Sequence, residues 1–138
     1  MLQGGRQKAY RPLPEVARRA ALDAGLAAYA RDAWFLAHEL LEPAWMGTDA
    51  LAERQLYQGV IKVAAAHVHR ERGNARGMAK NLVGARTLLV EALAGGAPDV
   101  GLDLPTLIAD VDDRLARLAR LDGRSVLEVP VISLPRQA

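Results

Sequence analysis

Over most of this chain the apolar residues recur three and four positions apart, and that spacing constrains the fold more than any other feature. Leu22, Leu26 and Tyr29 form one such stripe, and Tyr57, Val60, Ile61, Ala64, Ala65 and Val68 form the longest. Met78, Leu82, Ala85, Leu89 and Ala92 follow, then Leu104, Leu107, Ile108, Val111, Leu115 and Leu118. Alanine, leucine and arginine, all good helix formers, dominate, whereas β-branched residues are scarce before the C-terminus. The pattern predicts an all-α fold: a single-domain helical bundle of about five helices over residues 14–125.

The breaks between stripes place the helix ends. Pro12 and Pro14 precede the first helix, and Pro14 suits a first turn, where a missing N–H costs nothing. Asp32 is expected to cap the second helix, which stops near Met46-Gly47, and Thr48 or Asp49 to cap the third. The third runs to about Arg72. Gly73 then supplies a left-handed C-terminal residue and Asn74 caps the fourth helix, so the two should pack as an antiparallel hairpin with almost no loop. Gly95-Gly96-Ala97-Pro98 breaks the chain again, and Pro105 opens a last helix with Arg114, Arg117 and Arg120 mostly on a solvated outer face. Residues 126–138 combine Val126, Val129, Val131 and Ile132 with Pro130 and Pro135, which predicts an extended tail rather than a helix. An apolar tail must be covered, either by the domain's own groove or by a neighbouring subunit.

A chain of 138 residues can bury a core as one domain without disulfides or metals. With no cysteine, disulfides, thiolate metal sites, iron–sulfur clusters and cysteine nucleophiles are all excluded. No apolar run approaches the ~20 residues of a membrane span, and the expectation is a soluble, cytoplasmic protein. The 18 basic and 16 acidic residues nearly cancel. The excess sits near the start, where Arg6, Lys8, Arg11, Arg18, Arg19 and Arg31 face only Glu15 and Asp23. Residues 1–13 are therefore read as a flexible basic arm. A single phenylalanine in the whole chain argues against a nucleic-acid surface with stacking aromatics.

The chemistry gathers in residues 34–45. His38, Glu39 and Glu42 fall within two helical turns, fenced by Trp34 and Trp45, and can converge near one point of the helix surface. Trp34, His38, Leu41 and Trp45 follow a four-three-four spacing, which places the imidazole on an apolar stripe facing another helix. Pro43 cannot donate to the Glu39 carbonyl, so a local kink is expected. In the third helix Gln58, Lys62 and His69 lie along one line, with Lys62 as countercharge for Glu39 or Glu42 and Gln58 as a hydrogen-bond partner. Gly77, Asn81 and Gly84 share a face of the fourth helix, small enough for close approach while Asn81 inserts an amide. One buried polar layer is expected from these residues, with His67, off the His69 line, at the surface.

Three readings compete for that layer. His38, Glu42 and His69, with Glu39, are acceptable ligands for a divalent metal ion, although the spacing is neither His-Glu-x-x-His nor a pair of Glu-x-x-His motifs. His38, Glu39, Glu42 and His69 can alternatively do acid–base work as a hydrolase or lyase, His38 titrating under the influence of the carboxylates. Otherwise the residues are a structural network that fixes helix register in an alanine-rich core. The residues favour this third reading, with Trp45, Gln58, Lys62 and Asn81 as binding partners. The apolar tail and the Ala/Leu-rich faces add a homodimer and a protein-interaction role to it.

The chain resembles the small helical family catalogued as domain of unknown function 309, over about residues 29–93. The resemblance rests on Ala37-His38-Glu39 with Glu42 and Trp45, on Gln58-Gly59-Val60-Ile61 with Ala64, then on His69 and on Gly73-Asn74 followed by Gly77. It implies a compact all-helical domain whose shared polar residues are these same positions, and no reaction, substrate or cofactor. Pro43 and Lys62 depart from the family pattern, Lys62 standing where an amide is often found. A lysine cation there would compete with a metal for the same carboxylates.

Overall fold

The helices form where the stripes require them and end where the breakers stand. The structure is a computed structural model that describes residues 10–137, with the backbone of two short strands, β1 (Leu2–Gln3) and β2 (Arg6–Gln7), paired antiparallel. Five α-helices follow: α1 (Glu15–Ala30), α2 (Trp34–Met46), α3 (Leu51–Glu71), α4 (Ala75–Ala94) and α5 (Leu104–Ala119). The fold is an all-α single domain. Most of the expected basic arm lies outside the described residues. Its end is tied down, because the Arg11 and Leu13 N–H groups donate to the Met46 and Gly47 carbonyls at the end of α2.

Each helix packs on its neighbour in sequence, α1 on α2, α2 on α3, α3 on α4 and α4 on α5, as short connections dictate. Glycines set the closest approaches. A Cβ on Gly25 of α1 would stand 2.5 Å from Leu41 of α2, and one on Gly59 of α3 would stand 2.8 Å from Leu89 of α4. Gly73 takes φ +72° at the α3–α4 turn, and Asn74 Oδ1 accepts the Gly77 N–H at 2.9 Å. The hairpin is thus built as its sequence predicts. Asp103 caps α5 by accepting from the Thr106 N–H.

Two expected caps are corrected. Asp32 does not cap α2; it adopts φ +61° in the turn after α1, a left-handed conformation that aspartate tolerates better than most residues, and Ala33 is the N-cap. Thr48 accepts from the Ala50 N–H instead of capping α3, whose N-cap is Ala50 itself. α2 continues through Pro43 to Met46.

The tail runs through a 3₁₀ turn, Val126–Glu128, and then extends, burying Val126, Val129 and Ile132 on the domain's own core. Two arginines strap it. Arg70 donates to the Val129 and Leu127 carbonyls at 2.8 and 3.0 Å, and Arg114 to the Pro130 and Val131 carbonyls at 2.9 and 3.0 Å. Arg114, expected on the solvated outer face of α5, is instead half-buried by this work. Backbone bonds from Asp103 to Pro135 and from Gln137 to Gly101 hold the far end. No described helix is long and apolar enough to cross a membrane.

Candidate functional site

The buried face of α2 is Trp34, Ala37, Leu41, Ala44 and Trp45. Ala37 takes the position that the spacing offered equally to His38, and His38 falls to the edge of the helix with its ring parallel to Phe35, centroids 6.1 Å apart. Its Nδ1 is enclosed and meets no hydrogen-bond partner among the described residues. Glu39 is exposed and Glu42 half-buried, and neither makes an ion pair or side-chain hydrogen bond among the described residues. The row His38, Glu39 and Glu42 therefore lines one outer edge of α2.

The line on α3 goes elsewhere. Lys62 lies over Gly84 of α4, its Cδ 3.0 Å from where a Cβ there would stand, and makes no ion pair with Glu39 or Glu42. His69 turns to the start of α4, its Nδ1 3.1 Å from Asn74 Nδ2 and against the Cβ position of Gly77. Asn81 donates back to the Gly77 carbonyl of its own helix at 3.0 Å. Gln58 is half-buried and makes no side-chain hydrogen bond among the described residues. The small face of α4 does receive α3, as its glycines suggest, but no contact links these residues to the α2 row. None of the seven residues of the expected layer is fully buried, which corrects the reading of a buried polar site. Among the described residues, no three His, Asp or Glu side chains are grouped to hold a metal ion, His38, Glu42 and His69 included.

The polar groups that are buried are ones the spacing did not single out. His67, expected at the surface, has no exposed area and is the hub of the domain. Its Nε2 accepts from the Ile132 N–H at 3.0 Å, so the proton sits on Nδ1, which donates to the Val63 carbonyl at 2.9 Å. Tyr29 donates to the Ile132 carbonyl at 2.5 Å. The Trp34 ring packs 4.7 Å from the imidazole and 4.8 Å from Tyr29. α1, α2, α3 and the tail thus meet at one neutral histidine. Burial first, partly offset by the Val63 bond, holds its pKa below the ordinary imidazole value, and Arg70 and Arg114 add to the lowering.

A second buried group joins α1 to α3. Arg18 donates to both Glu53 oxygens, at 2.7 and 3.3 Å, and Tyr57 donates to Glu53 at 2.6 Å. The bond to Glu53 raises the Arg18 pKa, while burial and then the same carboxylate push the Tyr57 hydroxyl up. Next to it, Arg54 donates to the Trp45 and Thr48 carbonyls at 2.9 and 3.1 Å and lies 5.0 Å from the Trp45 ring centroid. It closes the end of α2, where exposed carbonyls favour a cation.

Fold and site together define a small all-α domain with two internal polar hubs and an outward-facing His/Glu row. Residues 22–81, from the middle of α1 to the first half of α4, match the model of the family described as Domain of unknown function (DUF309). No curated protein and no solved structure gave a significant match to the chain.

Proposed function

We propose that this domain is a protein-interaction module that pairs with a second copy of itself through the outer face of α2. The observation that carries the reading is that Phe35 is 58 % exposed and Leu36 42 % exposed, side by side on a helix that is apolar on its buried faces as well. Adjoining exposed apolar groups mark a contact surface. The charges around the patch suit an isologous contact. Arg31 and Glu39 are exposed, unpaired among the described residues, and stand four residues to either side of Phe35. Arg31 stands at the C-cap of α1 and Glu39 on α2, one cation and one carboxylate flanking the patch, which an isologous contact can pair between copies.

The His/Glu row then serves as the polar rim of that contact. An enzymatic reading of the row has less support, because the row lies on an outer helix edge. The cleft of about 660 Å³ beside α1 is lined by Trp34 but by none of His38, Glu39 and Glu42, whereas catalysis favours concave, water-excluding sites. Sedimentation of the wild type and of Phe35→Glu/Leu36→Glu tests the proposal. The wild type is expected at the mass of two chains, and the variant at one chain with unchanged helical circular dichroism. A wild type of single-chain mass at every concentration overturns it.

A further inference from the structure

A cleft of about 660 Å³ opens between α1 and the C-terminal tail, away from the His/Glu row and within the size range of small-molecule sites. Its floor is apolar and rigid: Tyr29, Trp34 and Ile132 are all buried members of the His67 hub. One wall is α1, where Leu26 and the small residues Ala27 and Ala30 line the cleft, and the other is the tail from Val131 to Leu134.

The charges in this cleft are few, two carboxylates and one guanidinium. Asp23 lines it near the middle of α1, and Asp32 lines it just past that helix. Both are exposed, and neither forms an ion pair or a side-chain hydrogen bond among the described residues. The seven residues from Asp23 to the end of α1 rise roughly 10 Å at ~1.5 Å each, and Asp32 stands in the turn beyond, so the two carboxylates sit towards opposite ends of that wall. Ala27 and Ala30 lie between them on the same wall. Arg136 also borders the cleft, its Nη2 3.7 Å from where a Cβ on Gly101 would stand, and leaves the lining with a net charge of one minus. Burial first holds the Tyr29 hydroxyl above its ordinary pKa, with the Arg114 charge opposing the rise and the Asp32 charge adding to it.

We propose that this cleft binds an elongated organic dication, in which an apolar body lies along Ala27 and Ala30 and two ammonium groups pair with Asp23 and Asp32. Tyr29 and Trp34 in the floor give the apolar body of such a ligand a surface to lie on. The volume leaves room for a body bulkier than a simple alkyl chain. Because the tail forms one wall, occupancy also stabilises the seated tail by mass action.

The test is calorimetric titration of the full chain with 1,8-diaminooctane, 1,4-diaminobutane, octylamine and 1,8-octanediol, with amide shifts recorded by NMR. The long diamine is expected to bind most tightly, shifting Ala27, Ala30 and Ser133. Octylamine should bind about three- to fivefold more weakly, as for loss of one partly exposed ion pair. The short diamine cannot reach both carboxylates and should fall to that level or below, with the diol weakest. Asp23→Asn and Asp32→Asn should each bring the long diamine to the octylamine level, and asparagine keeps the left-handed backbone at position 32 accessible. No binding of the long diamine, equal binding of the diol, shifts confined to another surface, or an unchanged affinity in the double variant overturns the proposal.

Discussion

The inner face of α3 and the outer edge of α2 both carry histidine and glutamate, yet they play opposite parts. On α3, Glu53 and His67 have every polar atom answered: Arg18 and Tyr57 meet the carboxylate, and Ile132 and Val63 meet the two ring nitrogens. On α2, Glu39 and Glu42 meet no partner among the described residues, and His38 lies against exposed Phe35. Each inner group has one partner a helical turn away and one from far along the chain, 35 and 65 residues away, whereas the outer groups are neighbours within one helix. Clustering in sequence therefore marked the surface row, and the charges that hold the fold were dispersed. A buried ion pair or histidine is tolerated only where distant elements bring complementary atoms to it.

Substitutions should separate the two regions, beginning with the largest effect. Glu53→Ala leaves the Arg18 guanidinium and the Tyr57 hydroxyl unpaired in a mostly enclosed site and should cost about 3 kcal/mol in urea unfolding. His67→Ala removes the acceptor of the Ile132 N–H and opens a cavity under the tail, for a loss of about 2–3 kcal/mol. Limited proteolysis should then cut near residues 129–135. Arg70→Ala and Arg114→Ala, each freeing two tail carbonyls, should cost about 1–2 kcal/mol and expose the same segment.

The hub also predicts a pH dependence. The folded His67 pKa lies below the unfolded value, so as pH falls the unfolded chain takes up a proton before the folded one does. The stabilisation is complete above about pH 6.5, the ordinary imidazole value, and is lost below it. Thermal melts of the wild type between pH 7.5 and pH 5 should show a falling midpoint. His67→Gln, whose amide keeps an acceptor and a donor but no titration, should flatten that slope, and an unaltered slope would remove His67 as its source.

Much of the fold was legible in the sequence. The five helices, the Gly73-Asn74 hairpin and an extended tail all follow from local signals: apolar period, glycine and proline placement, and capping side chains. What misled was the assignment of faces. α3 is covered by α2, α4 and the tail, so it buries nearly its whole circumference, from Glu53 to His67. Gln58, Lys62 and His69, which the spacing aligns, lie on its less buried strip. In α2 a three-four-four spacing through Ala37 fits Trp34, Leu41 and Trp45 as well as four-three-four through His38, and the smaller residue is the one enclosed. The Arg18 to Glu53 pair and the Arg114 strap depend on helix packing that no local pattern carries. Of the site, the contact of His69 and Lys62 with Gly77 and Gly84 was readable from small residues spaced along α4.

The smallest effect is also the most decisive. If the α2 row faces outward and holds nothing together, His38→Ala/Glu39→Gln/Glu42→Gln should unfold in urea within about 0.5 kcal/mol of the wild type, as for surface positions generally. The same measurement on Glu53→Ala should show the full loss given above. A triple variant destabilised by several kcal/mol, beside a Glu53→Ala variant near the wild type, would contradict the assignment of the two regions.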